Sequence, residues 1–437
     1  MDGDISKQRT HNYWHQIKGS VVFQTVGMGA SFLTIPLMIR YLGEEQFGVW
    51  STLLTIMSWI VFFDLGVGNG LRNKIAETLA NNQRTEASSY IASAYSLIAI
   101  FSIFLYISIY IFAPFVPWQV VFNIQSISQE ILEHIVQIAA FFIILNFWIG
   151  LIRALLGAVQ KTSIIALGQL VANILVLLLV LFLIKMTDAS ISYLAFVYGL
   201  SIVTANLLIS IYFYCKNIDL LPKPYLDTLH IRPLLAVGLQ FFIIQLAVLV
   251  VFTTDKILIT QLFGPKYVTP YDVVFKLFSI ITFTHALIIT PLWSAYTDAY
   301  HQGDIAWIKA TLRMQLIYFL YLCIAVVTMV LVAKQIISVW IGQDLEVSRA
   351  LIVTMGSFVA ISMWNNIFAY LVNGTGRIKV QLYTAVIAMI LNIPLSITLV
   401  KYFNLGLYGI LLGTCISLIL AAIALPIQVY HMFYATK

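Results

Sequence analysis

Asp255 and Lys256 stand side by side in the stretch FTTDKILIT, and the apolar run that follows carries Asp272, Lys276 and Ser279 at i, i+4 and i+7. Residues at that spacing share one face of a helix. Adjacent helical residues point about 100° apart, so Asp255 and Lys256 do not simply neutralise each other. Gln245 and Lys256 are three full turns apart and share a face of their own. If the two faces meet, Lys256 and Lys276 offer cationic partners to an anionic group. The alternative is an Asp–Lys network that only fixes packing, or side chains that snorkel to an interface. Asp255 suggests a second kind of chemistry, because a carboxylate in an apolar medium can change protonation as its surroundings change. His285, farther along the second run, could relay protons or be a satisfied core histidine.

Three arginines extend the cationic set. Arg40 closes the first apolar run, as an anion contact or an ordinary interfacial anchor. Arg72 lies with Lys74 in a polar segment between runs, and Arg153 lies just inside a later one. Asp64 precedes Gly66, Gly68 and Gly70, where it either caps a turn or takes part in ion coupling. A charge near a bilayer centre costs about 2.5–3.5 kcal/mol on insertion scales, so each one placed there needs a reason.

The elements that must position these residues are membrane-spanning helices. The chain is 61% hydrophobic and 10% charged, with a mean hydropathy of +0.94. A bilayer core about 30 Å thick needs roughly 20 apolar residues per helix. The pattern predicts twelve spans, near 18–39, 47–65, 88–115, 132–152, 163–184, 191–214, 234–254, 271–295, 314–333, 350–372, 381–400 and 407–430. The third is long and is expected to tilt or to end in a re-entrant piece near Pro114 and Pro117. Trp14, Trp118, Trp307 and Trp340 fall near span ends and are expected in the interfacial belt.

Sixteen of the 24 basic residues fall on the side of the N-terminus, six on the other, and Lys256 and Lys276 within or at the edge of spans. The positive-inside rule then places both termini in the cytoplasm. The net charge of +6 mostly reports this topology and gives no reason to expect a nucleic-acid partner. Cys215, Cys323 and Cys415 show no CxxC spacing and read as small buried apolar residues. HExxH, GxxxxGK[ST] and GxSxG are all missing, and no loop exceeds about 20 residues. The expectation is a protein that is not an enzyme, with no cofactor and no metal.

The segment CKNIDLLPKPYLDTLHIRP, with prolines at 222, 224 and 233, separates six spans from six. This divides the chain into an N-terminal lobe 1–215, a cytoplasmic linker 216–233 and a C-terminal lobe 234–437. Self-similarity supports a duplication. Leu42-Gly43 matches Phe263-Gly264, Gly157 matches Gly376, and Asn173-Ile174 matches Asn392-Ile393. Each half has the same sidedness, so the repeats are parallel and would enclose a central cleft whose ends can open alternately. The fold class expected is therefore all-α integral membrane, twelve helices in two six-helix lobes.

The stretch 35–77, IPLMIRYLGEEQFGVWSTLLTIMSWIVFFDLGVGNGLRNKIAE, resembles the first helical hairpin of Wzx-type polysaccharide flippases. These belong to the multidrug/oligosaccharidyl-lipid/polysaccharide exporter superfamily. The matching pieces are Pro36, Tyr41-Leu42-Gly43, Phe47-Gly48, Asp64-Leu65-Gly66 and Ala76-Glu77, with Asn373-Gly374-Thr375-Gly376-Arg377 as a second signature. The resemblance implies movement of an undecaprenyl-diphosphate-linked oligosaccharide between leaflets of a bacterial inner membrane. It implies coupling to a proton or sodium gradient, with a polymerase and a chain-length regulator as further partners beside membrane lipids. Arg40, Arg72, Arg153, Lys256 and Lys276 are then candidates for the diphosphate and glycan, and Asp255, His285 and Asp64 for ion coupling. A multidrug antiporter of the same superfamily is the nearest alternative, and would favour an acidic cavity. A membrane-embedded polymerase is the alternative from another class.

Overall fold

The computed structural model describes residues 2–61, 67–159, 161–222, 228–290, 292–301, 303–342 and 345–434; of residues 2–18 and 232–245 it describes the backbone alone. The described residues are helical nearly throughout. Ten helical stretches are long and apolar enough to cross a membrane, so the chain is a multi-pass, all-α membrane protein. It divides into two compact units, Met1–Ile243 and Ile244–Lys437.

The first unit contains α1 (Asp2–Val61), α2 (Val67–Ala80), α3 (Arg84–Phe112), α4 (Trp118–Val121), α5 (Gln129–Ile149), α6 (Ile152–Ala158), α7 (Thr162–Met186) and α8 (Ile191–Lys216). The helix α1 is two arms joined at Gly43, whose φ of 78° and ψ of 167° lie outside the helical region. That backbone region is essentially restricted to glycine, and the turn falls where the sequence separates its first two spans. Lengthwise packing of α1 on α7 is pinned by Asn173, whose Nδ2 donates to the Gly27 carbonyl at 2.9 Å. In lipid an apolar side chain gains little by leaving one helix surface for another. Close packing and hydrogen bonds of this kind therefore hold the helices together.

α2 is a helix where the sequence suggested only a polar loop. Val67, Leu71, Ile75 and Thr78 recur along one buried face, and the three apolar ones join a core with Tyr90, Ile91 and Ile98 of α3 and Ile152 and Leu155 of α6. Arg72, Ala76 and Glu77 are left exposed. On the exposed side Lys74 pairs with Glu77 at 2.8 Å, and that hydrogen bond holds the Lys74 ammonium above its ordinary value.

The third span closes differently from expectation. α3 stops at Phe112, a single 3-10 turn covers Ala113–Phe115, and α4 follows. Trp118 is buried, its Nε1 donating to the Ala113 carbonyl at 2.8 Å, so it is not an interfacial belt residue. Phe122, Ile124 and Ile127 are buried with it.

The helix α9 (Thr228–Phe263) contains the division between units. The second unit continues with α10 (Val268–Ile289), α11 (Leu292–His301), α12 (Ile305–Ile341), α13 (Arg349–Gly374), α14 (Lys379–Lys401) and α15 (Leu407–Phe433). Gly264, after α9, has φ 101° and ψ 160°, the same region as Gly43. The expected span 271–295 ends early at Ile289. The expected span 314–333 belongs to a longer helix that starts at Ile305 and ends at Ile341. α11 packs Tyr296 and Ala299 against Ile308, Leu312, Ile367 and Phe368. The outer face of α12 leaves Leu320, Tyr321, Ile324, Val327 and Leu331 exposed, as a lipid-facing surface requires.

Candidate functional site

In the first unit, the chain breaks helical continuity between α5 and α6 at Gly150–Leu151. Arg153 follows at once on α6, opposite Arg72 on α2. The two guanidinium residues line one cavity of about 320 Å³ together with Gly68, Asn146, Phe147 and Gly150. Asn206 of α8 is buried, accepts the Arg153 Nε–H at 3.2 Å, and donates from its own Nδ2 to Asn146 Oδ1. That relay fixes the Arg153 stem and occupies one of the five guanidinium donors. Arg72 crosses Gly157, where a Cβ would meet its Nε at 3.1 Å, so glycine makes room for the side chain. Among the described residues, no carboxylate pairs with either guanidinium. Two guanidinium groups lining one cavity are chemistry suited to an anion.

Arg40 is exposed on the first arm of α1 and does not line this cavity. Asp64 lies outside the described residues. The sequence named Arg72 and Arg153 separately, as two isolated cations, and the fold brings them together. Asn206 and Asn146 escaped notice because an asparagine in an apolar span reads equally well as glue between helices.

In the second unit, Lys256 Nζ reaches Asp272 Oδ1 at 2.6 Å, joining α9 to α10. This is the ion-pair arrangement the sequence left open. Lys276, half-buried, lies one turn beyond Asp272 on the same face. Asp255 is 3% exposed. Its carboxylate accepts from the Tyr271 hydroxyl at 3.0 Å and from the Thr414 hydroxyl at 2.8 Å. Thr414 in turn accepts from Asn392 Nδ2 at 2.9 Å, and Asn392 Oδ1 accepts from Thr254 at 3.0 Å. Beside them Ser396 donates to the Ile410 carbonyl at 3.0 Å. Four helices, α9, α10, α14 and α15, thus converge on one buried carboxylate whose hydrogen-bond partners among the described residues are neutral hydroxyls. His285 is buried on α10, and its Nε2 has no hydrogen-bond partner among the described residues. Trp364 packs against Phe319 and Phe368 and donates to the Ala422 carbonyl at 2.9 Å, which makes it a core residue.

Comparison with known proteins adds relatives along most of the chain. A Salmonella typhimurium protein named as an O-antigen transporter is 26% identical over 415 residues, covering 89% of each chain. A Yersinia pseudotuberculosis protein named as an O-antigen export protein is 21% identical over 90% of each. Among solved structures, an inward-facing multidrug resistance MATE family transporter of the MOP superfamily superposes with a TM-score of 0.80 at 15% identity, over 95% of this chain and 98% of that one. A MOP superfamily transporter from Pyrococcus furiosus, described as having a binding pocket of reversed polarity, gives 0.66 at 16% identity over 96% of each. These likenesses show the transporter fold. The MatE family matches residues 241–398. The family described as polysaccharide biosynthesis protein matches residues 17–296, more than half of the sequence, and the chain belongs to that family.

Proposed function

We propose that this protein is a flippase that carries a lipid-diphosphate-linked oligosaccharide repeat unit, of the O-antigen kind, from the cytoplasmic to the outer leaflet of the inner membrane. The observation that carries the reading is the cavity with Arg72 and Arg153, which have no carboxylate partner among the described residues, in a chain whose relatives are named for O-antigen transport. A diphosphate moving through a low-dielectric region needs donors that are charged at every pH and fixed in place. Arg153, held by Asn206, meets that need. Arg40, Lys256 and Lys276 are further candidates for the diphosphate or glycan.

The coupling ion, a proton or sodium, is assigned to Asp255. A hydroxyl-ringed carboxylate in a membrane can bind a proton, and its neighbouring oxygen ligands suit a hard cation equally well. His285 and Asp64 are secondary candidates. Counting the two arms of α1 separately and adding α9 turns the ten spans into twelve crossings, six in lobe 1–215 and six in lobe 234–437 across linker 216–233. The matched turns at Gly43 and Gly264 support the duplication. So do Asn173 and Asn392, each of which ties a later helix to the first helix of its half. In this topology both termini are cytoplasmic.

A multidrug antiporter is the reading that the MATE-like fold itself allows, but the cavity is cationic, which suits an anion better than a cationic drug. Deleting the gene in its host is expected to leave lipid-linked repeat units shielded from a lectin applied to the outer leaflet. Repeat units that stayed fully accessible in the deletion strain would sink the proposal.

A further inference from the structure

One cavity in the second unit lies away from the Lys256–Asp272 and Asp255 clusters. It has a volume of about 740 Å³ and opens where three turns meet: α9 to α10, α12 to α13, and α14 to α15. Its walls include Tyr267, Tyr408, Lys334, Glu346 and Ser338. Lys334, Glu346 and Ser338 are exposed, and among the described residues no ion pair joins Lys334 to Glu346.

The loop of the first unit that matches the turn from α12 to α13 is longer. There the segment 113–128 between α3 and α5 folds back as a plug, burying Trp118, Phe122, Ile124 and Ile127. Ser126 ties that plug to Glu45 at 3.3 Å. In the second unit the counterpart between α12 and α13, residues 342–348, is less than half as long and carries no aromatic residue. The two loops therefore differ in length and in aromatic content. Beside apolar walls such as Ile337, Leu345 and Leu407, the cavity keeps a cation, a carboxylate and hydroxyls next to two tyrosine rings.

We infer that this cavity is a saccharide site, which receives sugar rings of the transported glycan at the end of the second unit opposite the C-terminal end of α15. The electron-rich face of a tyrosine packs against the polarised C–H face of a sugar ring. Lys334 donates to sugar hydroxyls and Glu346 accepts from them, and a pocket of this size takes more than one ring. The identity of the glycan rests on the transport reading; the presence of the site does not.

The test uses full-length protein in lipid nanodiscs. The probe is the free repeat-unit oligosaccharide, released by mild acid from the lipid carrier of the host strain. Saturation-transfer NMR is expected to show sugar protons in contact with the protein. Tyr408→Ala and Lys334→Ala should each weaken binding about tenfold or more, and Ser338→Trp should block it by filling the cavity. Arg153→Ala addresses the other cavity and should leave the sugar signal in place while impairing translocation. Each variant is first checked for an unaltered melting temperature. Absence of any sugar signal with the unmodified protein overturns the assignment. So does a signal that persists in well-folded Tyr408→Ala, Lys334→Ala and Ser338→Trp together. Binding without translocation by the unmodified protein keeps the site and rejects the flippase reading.

Discussion

At the scale of single residues, the account turns on charges in an apolar chain and on what holds each one. Arg153 is oriented by Asn206, so a contact to a phosphate costs it little reorganisation. Loss of one charged hydrogen bond is worth about 1.5–3 kcal/mol, so Arg153→Ala should slow translocation roughly 10- to 100-fold. Arg153→Lys should recover only part, because an ammonium lacks the planar fork that Asn206 and a phosphate share. Accumulation of lipid-linked repeat units at the cytoplasmic face measures both. Asp255→Asn keeps the size of the side chain and removes its charge; the expected outcome is folded protein whose transport no longer responds to a proton or sodium gradient. Lys256 differs from these, being matched by Asp272 at 2.6 Å with little exposure on either side. Lys256→Ala removes the ion-pair partner of Asp272 and should cost about 2–3 kcal/mol, read as a lower melting temperature. Adding Asp272→Ala should restore much of it. Asp255 was legible in the sequence as an intramembrane carboxylate. Its partners were not, since Tyr271 and Thr414 lie 16 and 159 residues away and no local pattern links them.

Elements were legible wherever composition alone decides. The apolar runs became helices because only a helix satisfies its own backbone in lipid. The turn between the first two runs was signalled by Leu42-Gly43, and Gly43 there adopts a backbone open only to glycine. Gly43→Ala and Gly264→Ala should therefore each cost about 1–3 kcal/mol of strain. Thermal unfolding in detergent measures this, and two unchanged midpoints would mean that the turns relax freely. The amphipathic elements were harder to see. The fourteen residues of α2 read as a basic loop because Arg72, Asn73 and Lys74 mask a buried stripe at Val67, Leu71 and Ile75. Likewise the start of α11 was absorbed into the span it follows, since its apolar residues continue the run without a charge to mark the end of α10 at Ile289. The short α4 was invisible for another reason: Trp118 near a span end satisfies the rule for interfacial aromatics, yet here its N–H finds the Ala113 carbonyl and the ring turns inward.

For the whole molecule, the proline-rich stretch between residues 215 and 233 marks a division in the sequence. The chain passes from one compact unit to the other within α9, and a helix that continues through such a point leaves no compositional mark. Topology carries its own prediction. Reporter fusions at the C-terminus and between residues 215 and 224 should read cytoplasmic, and fusions after Gly342 and after Tyr402 should read external. The central claim is transport of a diphosphate-linked glycan across the bilayer. Its most direct test is purified protein in sealed vesicles holding lipid-diphosphate-linked repeat units in the inner leaflet, with an impermeant glycosidase outside. The account predicts protein-dependent cleavage that an imposed proton or sodium gradient accelerates and that Arg72→Ala combined with Arg153→Ala abolishes. Cleavage no faster than in protein-free vesicles, with the protein folded and a gradient applied, would contradict it.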